Sequence, residues 1–273
     1  MNSLVLGYRR FKRSVKDFAG YVQFDRRANE VVRRTDFTRC PKPVLLLYGF
    51  FSTRRVFEIL ELRLRRDGYC VWSINLGGAF DRFNTRGIDE SAQKVHAKVE
   101  RLYARYDLGP LTIIGHSKGG LIGTYYVKRL GGERRVRNLI TLGSPFHGTP
   151  VAYLGCATLG WFAPSMWQMT PRSPFLRQLR EAPYPSSVRV TSIYSRGDGV
   201  ASYPSSVLDA RSSPNVFNVE VPPVTHQELL CRHAVYESIR RELALGYGEP
   251  APPARLRSLS LAPHPSAALA QQL

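Results

Sequence analysis

Short apolar segments that alternate with helical patterns constrain the fold of this chain most. The segments VLLLYG, from Val44, and LTIIG, from Leu111, are continuous apolar runs that end at a glycine. Such runs are typical of strands buried on both faces of a parallel sheet. Further strands are predicted at the segments CVWSINL, VRNLITLGSP, VRVTSIYS and VFNVEV. Helical spacing predicts helices at 55–66, 88–106, GLIGTYYVKRL and 228–243, with Asp89 as the N-cap of the second. This alternation predicts an α/β fold with a mostly parallel central sheet flanked by helices.

A serine stands between two of the predicted elements, in the segment IIGHSKGG. The residues from Gly115 to Gly119 fit the pattern G-x-S-x-G, directly after a predicted strand and directly before a predicted helix. That context is the strand–turn–helix arrangement of a nucleophile elbow. The turn is so tight that only glycine fits on either side, and it exposes the hydroxyl of Ser117 at the carboxyl end of the sheet. Ser117 is therefore the predicted nucleophile.

A serine hydroxyl needs a base to remove its proton, and the base needs an acid to orient it. In folds with this elbow the chain order is serine, acid, histidine. His226 follows the last predicted strand, whereas the alternative His233 falls inside a predicted helix. Asp198 follows the strand VRVTSIYS between two glycines, and the alternative Asp209 lies further along a loop. The predicted catalytic group is Ser117, Asp198 and His226.

Two backbone N–H groups are expected to bind the oxyanion that forms during acyl transfer. One belongs to Lys118, the residue after the nucleophile. The other is predicted at Phe50, or alternatively at Phe51, in the loop after the first strand. The side chain of Lys118 has two expected orientations: toward the oxyanion, where its charge would help, or toward solvent.

Residues 147–187 contain no predicted strand and are rich in large apolar side chains. We interpret this segment as a lid or cap over an acyl pocket, and the alternative is an extension of the core. The predicted substrate-binding or lid residues are Phe51, Trp161, Phe162 and Trp167.

The ends of the chain differ from its centre. Residues 1–42 are predicted to form a basic, amphipathic helical extension, and residues 247–273 a disordered tail rich in Pro, Ala and Ser. The main domain is predicted over 43–246. The net charge of +18 is compatible with an anionic membrane surface as a partner, and the alternative is a basic surface with no specific partner. Nucleic acid is not expected, because no nucleic-acid motif is present.

Four widely spaced cysteines, Cys40, Cys70, Cys156 and Cys231, form no CxxC pair and no metal-ligand spacing. They are expected to be free, packed thiols. With neither a signal-peptide core nor a long apolar run in the sequence, we expect a cytoplasmic protein, or one peripheral at the membrane.

The segments VLLLYGFFS, GHSKGG, LITLGSPFHGTP, SIYSRGDGVASYP and THQELL resemble the α/β-hydrolase superfamily, and within it the bacterial lipases and esterases. The resemblance covers residues 43–245. It departs from the family at the oxyanion loop, where Tyr48-Gly49 replaces the usual His-Gly. It departs again at position 118, where lysine replaces a residue that is commonly methionine.

The resemblance implies a carboxylic-ester hydrolase that acts on an acyl-ester or lipid substrate without a metal or organic cofactor. A lipase-like phospholipase or an acyltransferase at anionic membranes would share these motifs, because the acyl-enzyme can pass its acyl group to an alcohol. A non-catalytic membrane-docking protein on a hydrolase fold is the alternative from another class.

Overall fold

The computed structural model describes residues 12, 34–78, 83–159, 163–210, 213–250 and 252. The predicted N-terminal extension and the predicted C-terminal tail therefore lie almost wholly outside the described residues. Trp161 and Phe162 also lie outside them.

The described residues form a six-stranded sheet in which every neighbouring pair of strands is parallel. The strands lie in the order β2-β1-β3-β4-β5-β6. Their bounds are β1 Pro43–Leu47, β2 Cys70–Ser73, β3 Leu111–His116, β4 Val136–Leu142, β5 Arg189–Ser195 and β6 Val216–Val221. Every residue of β1 and of β3 is buried, as expected of continuous apolar strands at the centre of a parallel sheet. The predicted fold class is confirmed.

Helices connect the strands. Their bounds are α1 Glu58–Arg66, α2 Ile88–Arg105, α3 Lys118–Arg129, α4 Val151–Leu159, α5 Pro164–Gln168, α6 Pro174–Glu181, α7 Tyr203–Ser206 and α8 His233–Gly246. Short 3-10 helices lie at Arg54–Phe57, Gly132–Arg134 and Glu228–Leu230. The segment predicted as a cap contains α4, α5 and α6 and joins β4 to β5.

Two local predictions are wrong in detail. The N-cap of α2 is Gly87, which has no side chain to donate or accept, and Asp89 lies inside the first turn. The side chain of Gln168 binds the start of this helix instead, accepting from the N–H of Ile88 at 2.6 Å and donating to Asp89 Oδ1 at 2.8 Å. The strand expected over CVWSINL ends at Ser73, where the chain leaves the edge of the sheet.

Two cysteines expected to be free form a disulfide. Cys40 and Cys70 are joined across 30 residues, whereas Cys156 and Cys231 are free thiols. The bond fastens the segment before β1 to the first residue of the edge strand β2. The prediction was wrong because two cysteines so far apart in the sequence form no local pattern that indicates a disulfide.

In the part of the chain that the structure describes, no helix has the length and apolar character needed to cross a bilayer.

Candidate active site

The turn between β3 and α3 carries Ser117 at the carboxyl end of the sheet. Ser117 has a φ of 54° and a ψ of −125°, a conformation that residues with side chains rarely adopt. A Cβ on Gly115 would lie 2.5 Å from Cα of Gly120. A Cβ on Gly119 would lie 1.9 Å from the carbonyl oxygen of Leu47. Both glycines of the motif are therefore required by close packing of the backbone, as an elbow demands.

Ser117 lies where the order of the strands reverses. The chain passes from β1 to β2 on one side, and then crosses to β3 on the other side of β1. In parallel sheets, ligands bind in the crevice that such a reversal leaves at the carboxyl ends of the strands. The loop after β1, with Phe50, and the turn after β3, with Ser117, form the two sides of this crevice.

His226 and Asp198 form a buried hydrogen-bonded pair. Nδ1 of His226 lies 2.7 Å from Oδ2 of Asp198, and both side chains are almost fully buried. Oδ1 of Asp198 accepts hydrogen bonds from the N–H groups of Val200 and Ala201, at 2.8 and 2.9 Å. Because an ionised carboxylate only accepts, Nδ1 of His226 donates and Nε2 is the basic nitrogen. His226 and Ser117 line the same small pocket.

The alternative residues lie elsewhere. His233 is on α8, where its Nε2 lies 3.6 Å from Oε1 of Glu237. Asp209 is exposed and lines a different cleft, to which Lys128 also contributes. The structure therefore brings His226 to Asp198 and leaves His233 and Asp209 away from that pair.

Gly143, directly after β4, is a site residue that sequence reasoning missed. Its φ is +53°, and a Cβ there would lie 2.6 Å from Oδ2 of Asp198 and 3.2 Å from Nδ1 of His226. A side chain at this position would enter the hydrogen bond between the acid and the histidine. The only sequence signal was a glycine at the end of a predicted strand.

Ser195, the last residue of β5, was also missed. Its Oγ accepts from the N–H groups of Gly197 and Val224, at 3.0 and 2.8 Å, and donates to the carbonyl of Val224 at 3.0 Å. One hydroxyl thus joins the turn that carries Asp198 to the segment that carries His226.

His116, next to Ser117 in the chain, contacts both the main chain and the ring of His226. Its Nε2 lies 3.0 Å from the carbonyl oxygen of His226, and the two ring centroids are 4.5 Å apart. Because a carbonyl only accepts, Nε2 of His116 carries the hydrogen. Burial lowers the pKa of His116 well below its ordinary value, and the neighbouring His226 lowers that pKa further. His116 is therefore a neutral donor to the main chain of His226.

The two residues predicted to form the oxyanion hole lie on the two sides of the crevice. Lys118 is the first residue of α3, so its N–H has no acceptor within the helix. Phe50 is buried and lines the pocket with Ser117. Phe51 follows with a φ of 54°, and its ring stacks on Phe83 with centroids 4.9 Å apart.

The side chain of Lys118 does not point to solvent, so one of its two expected orientations is wrong. The residue is fully buried, and its Nζ donates to the carbonyls of Asn84 and Arg86, each at 2.6 Å, and to Oδ1 of Asn84 at 3.0 Å. Burial lowers the pKa of Lys118 well below its ordinary value, while the carboxylates of Glu90 and Asp89 raise it.

The pocket at Ser117 is narrow and mostly apolar. Its volume is about 20 Å³, which is room for roughly one water molecule. Besides Ser117 and His226, the lining residues are Phe50, Pro145, Thr149, Val151, Ala152, Met166, Met169 and Val200. Several of these belong to α4 and α5, so the segment predicted as a cap covers the serine, which is only 7% exposed.

Trp167 does not line this pocket. It lies on α5 with 58% of its surface exposed, on the outer side of the segment. Larger clefts lie elsewhere: one of about 430 Å³ is lined by Arg54, Arg65 and Trp72 among others. We favour the smaller pocket as the active site because it alone, among the described clefts, contains a strained serine beside a paired histidine.

Among the described residues, no group of three or more His, Cys, Asp or Glu side chains is placed to hold a metal ion.

Comparisons with known proteins bear on the fold. The family model described as the alpha/beta hydrolase fold matches residues 42–157. No sequence among the curated proteins matches the chain.

Three solved structures illustrate the similarity. The mature form of Bacillus licheniformis lipase BlEst2 is 16% identical, with a TM-score of 0.60 over 79% of this chain and 96% of that one. Aspergillus fumigatus lipase B is 20% identical, with a TM-score of 0.64 over 85% of this chain and 59% of that one. Est1E from Butyrivibrio proteoclasticus is 14% identical, with a TM-score of 0.58 over 78% of this chain and 90% of that one.

Identities this low establish the fold. Together with the parallel sheet and the family match over 42–157, they show that the chain has the α/β-hydrolase fold, and the solved structures it resembles include lipases and esterases.

Proposed function

We propose that this protein hydrolyses carboxylic esters, with Ser117 as nucleophile, His226 as general base and Asp198 as the acid that orients it. The observation that carries the proposal is the 2.7 Å hydrogen bond between Nδ1 of His226 and Oδ2 of Asp198, beside a serine held at a φ of 54°. Strained serines and buried histidine–carboxylate pairs are each uncommon. When both lie in one pocket, the histidine can activate the serine hydroxyl as a nucleophile.

The proposed reaction gives each of these groups a step. His226 takes the proton of Ser117 through Nε2 while Oγ attacks the ester carbonyl. Asp198 stabilises the imidazolium that forms, and its orientation is held by the N–H groups of Val200 and Ala201. The N–H groups of Lys118 and Phe50 bind the oxyanion. His226 then protonates the leaving alcohol, and water releases the acyl group by the same steps.

The pocket supports an apolar acyl group as substrate. Met166, Met169 and Val151 offer aliphatic contacts near Ser117, but a volume of about 20 Å³ does not admit an acyl chain. The helices α4 and α5, which contribute Val151, Ala152 and Met166 to the lining, are therefore expected to move away from the serine when a substrate enters.

The test is hydrolysis of p-nitrophenyl esters from C2 to C16 by the wild type and by Ser117→Ala. We expect activity in the wild type and a loss of at least about 10³-fold in kcat for Ser117→Ala. Ser91→Ala is the matched control, because Ser91 is another fully buried serine, on α2 and away from the pocket. Equal activity in the wild type and Ser117→Ala would contradict the proposal. Labelling by a fluorophosphonate, followed by mapping of the modified peptide, identifies the reactive serine independently.

A further inference from the structure

The described hydrogen bonds of the buried Lys118 side chain all go to Asn84 and Arg86, and its Nζ also lies 6.0 Å from the centre of the Phe50 ring. An ammonium group has three hydrogens to donate. The structure gives Nζ three acceptors, which are the carbonyl and Oδ1 of Asn84 and the carbonyl of Arg86. All three acceptors are uncharged, so the lysine is buried without an ion-pair partner among them.

The side chain of Asn84, which accepts from Lys118, also donates hydrogen bonds to the loop after β1. Its Nδ2 donates to the carbonyl of Tyr48 at 2.8 Å and to the carbonyl of Gly49 at 3.2 Å. These are the two residues immediately before Phe50. One buried asparagine therefore connects the residue after the nucleophile to the loop that supplies the second oxyanion donor.

The backbone at this junction is strained. Phe51, Phe83 and Asn84 have φ values of 54°, 61° and 44°, although none of them is glycine. The rings of Phe51 and Phe83 stack, so the two strained loops pack against each other. Conformations of this kind persist only where surrounding contacts hold them, and they concentrate at functional sites.

Among the described residues, no carboxylate accepts a hydrogen bond from Nζ of Lys118. Burying a lysine on uncharged acceptors costs stability, and an apolar residue of similar volume is often as stable or more so. A purely structural explanation for Lys118 is therefore weak. Its contacts have one consistent consequence, which is to set the distance between the start of α3 and the loop after β1.

We propose that Lys118 and Asn84 are positioning residues that hold the N–H of Phe50 opposite the N–H of Lys118, so that both donors meet the oxyanion. The inference depends on the proposed ester hydrolysis. Lys118 then acts twice: its backbone N–H binds the oxyanion, and its side chain fixes the loop that carries the other donor.

Two substitutions test separately the hydrogen bonds that Lys118 donates and those that Asn84 donates to the loop after β1. Lys118→Met keeps nearly the same volume and removes all three donors. Asn84→Asp keeps an oxygen for Lys118 but places a second oxygen, in place of Nδ2, against the carbonyls of Tyr48 and Gly49. Lys128→Met is the matched control, because Lys128 lies on the same helix and its Nζ also donates to two backbone carbonyls, those of Leu179 and Ala182.

The measurement combines steady-state kinetics with binding of a trifluoromethyl ketone. Ser117 adds to the ketone carbon, the carbonyl π electrons become an oxyanion, and the proton moves to His226, so the adduct uses the oxyanion hole. Removal of a whole oxyanion donor costs about 10²–10³ in kcat. For a displaced donor we expect kcat to fall about 10- to 100-fold in both variants, with KM within about twofold. The inhibition constant of the ketone should rise by the same factor. Lys128→Met should change neither quantity more than about twofold, although its melting temperature falls.

Unchanged kcat in folded Lys118→Met or Asn84→Asp, or a change in KM alone, would overturn the inference while leaving the proposed hydrolysis intact. If Lys118→Met does not fold, Asn84→Asp and Asn84→Ala decide the question. A wild type that neither cleaves esters nor reacts with a fluorophosphonate would overturn both proposals.

Discussion

At the scale of single residues, the site depends on positions where a side chain is excluded. Gly143 lies against the hydrogen bond between Asp198 and His226, at a φ of +53°. The neighbouring elbow glycines exclude side chains for a different reason, which is contact with the backbone. Glycine therefore leaves room for the candidate site both beside the pair of Asp198 and His226 and at the turn that carries Ser117.

We therefore expect Gly143→Ala to lower kcat about 10- to 100-fold, because the new methyl group displaces Asp198 from His226 and misorients the imidazole. The free energy of unfolding should also fall, since alanine is strained at this φ. The measurement is ester hydrolysis together with urea unfolding. Gly68→Ala is the control: its φ is +88° but a Cβ there meets no atom within 4 Å, so strain without displacement should leave kcat unchanged. A fully active Gly143→Ala would contradict the assigned geometry.

The burial of His116 predicts how the free energy of unfolding changes as the pH falls. Its pKa in the folded protein is held well below 6.5, so below pH 6.5 the unfolded chain binds a proton that the folded chain does not. Above pH 6.5 both states hold His116 neutral, so the free energy of unfolding keeps its full value. Below pH 6.5 protonation of the unfolded chain lowers the free energy of unfolding. The slope from one such group approaches about 1.4 kcal/mol per pH unit. His116→Gln should flatten this part of the profile in urea unfolding between pH 7 and 5. A difference between the two proteins that does not vary with pH would contradict the prediction.

At the scale of elements, α5 connects the segment predicted as a cap, 147–187, to the rest of the domain. Gln168, at its end, binds the first turn of α2 through the N–H of Ile88 and the carboxylate of Asp89. Met166, on the same helix, covers Ser117. The contact between α5 and α2 therefore opposes access to the serine.

Gln168→Ala should weaken this contact and increase the population in which Ser117 is accessible. Loss of about 1 kcal/mol of hydrogen bonding corresponds to roughly a fivefold change in population. We expect labelling by a bulky fluorophosphonate to accelerate about two- to fivefold. Gln178→Ala, at an exposed position on α6, is the control and should not change the rate. An unchanged rate in Gln168→Ala would mean that access to Ser117 does not involve separation of α5 from α2.

At the scale of the whole molecule, the disulfide between Cys40 and Cys70 ties the approach to β1 to the edge strand β2. A crosslink over 30 residues stabilises a domain by about 3 kcal/mol in the chain-entropy description. Disulfides persist in oxidising compartments, and the cytoplasmic location expected from the sequence stays a prediction.

The double variant Cys40→Ser/Cys70→Ser should therefore unfold at a melting temperature lower by roughly 6–12 °C. A reductant should lower the melting temperature of the wild type toward that of the variant and leave the variant unchanged. Cys231→Ser is the control, because Cys231 is a free thiol. Equal melting temperatures for the wild type and the double variant under oxidising conditions would contradict a stabilising disulfide.

The fold class and the tight turn at Ser117 were predictable because they follow from local geometry. Strands and helices impose periods of two and 3.6 residues, and an elbow needs its serine and glycines within five consecutive positions. Asp198 and His226 were also predicted, since parallel strands bring their carboxyl ends to one edge of the sheet and the chain order limits the choice.

Contacts between distant segments were not predictable in this way. The orientation of Lys118, the exclusion of a side chain at Gly143 and the pairing of Cys40 with Cys70 each depend on residues about 30 or more positions apart. No periodic pattern records which side chains meet across such separations, because packing of the whole core sets those distances. The backbone of residue 118 follows from the motif, whereas the destination of its ammonium group depends on how the segment 83–86 packs over the sheet.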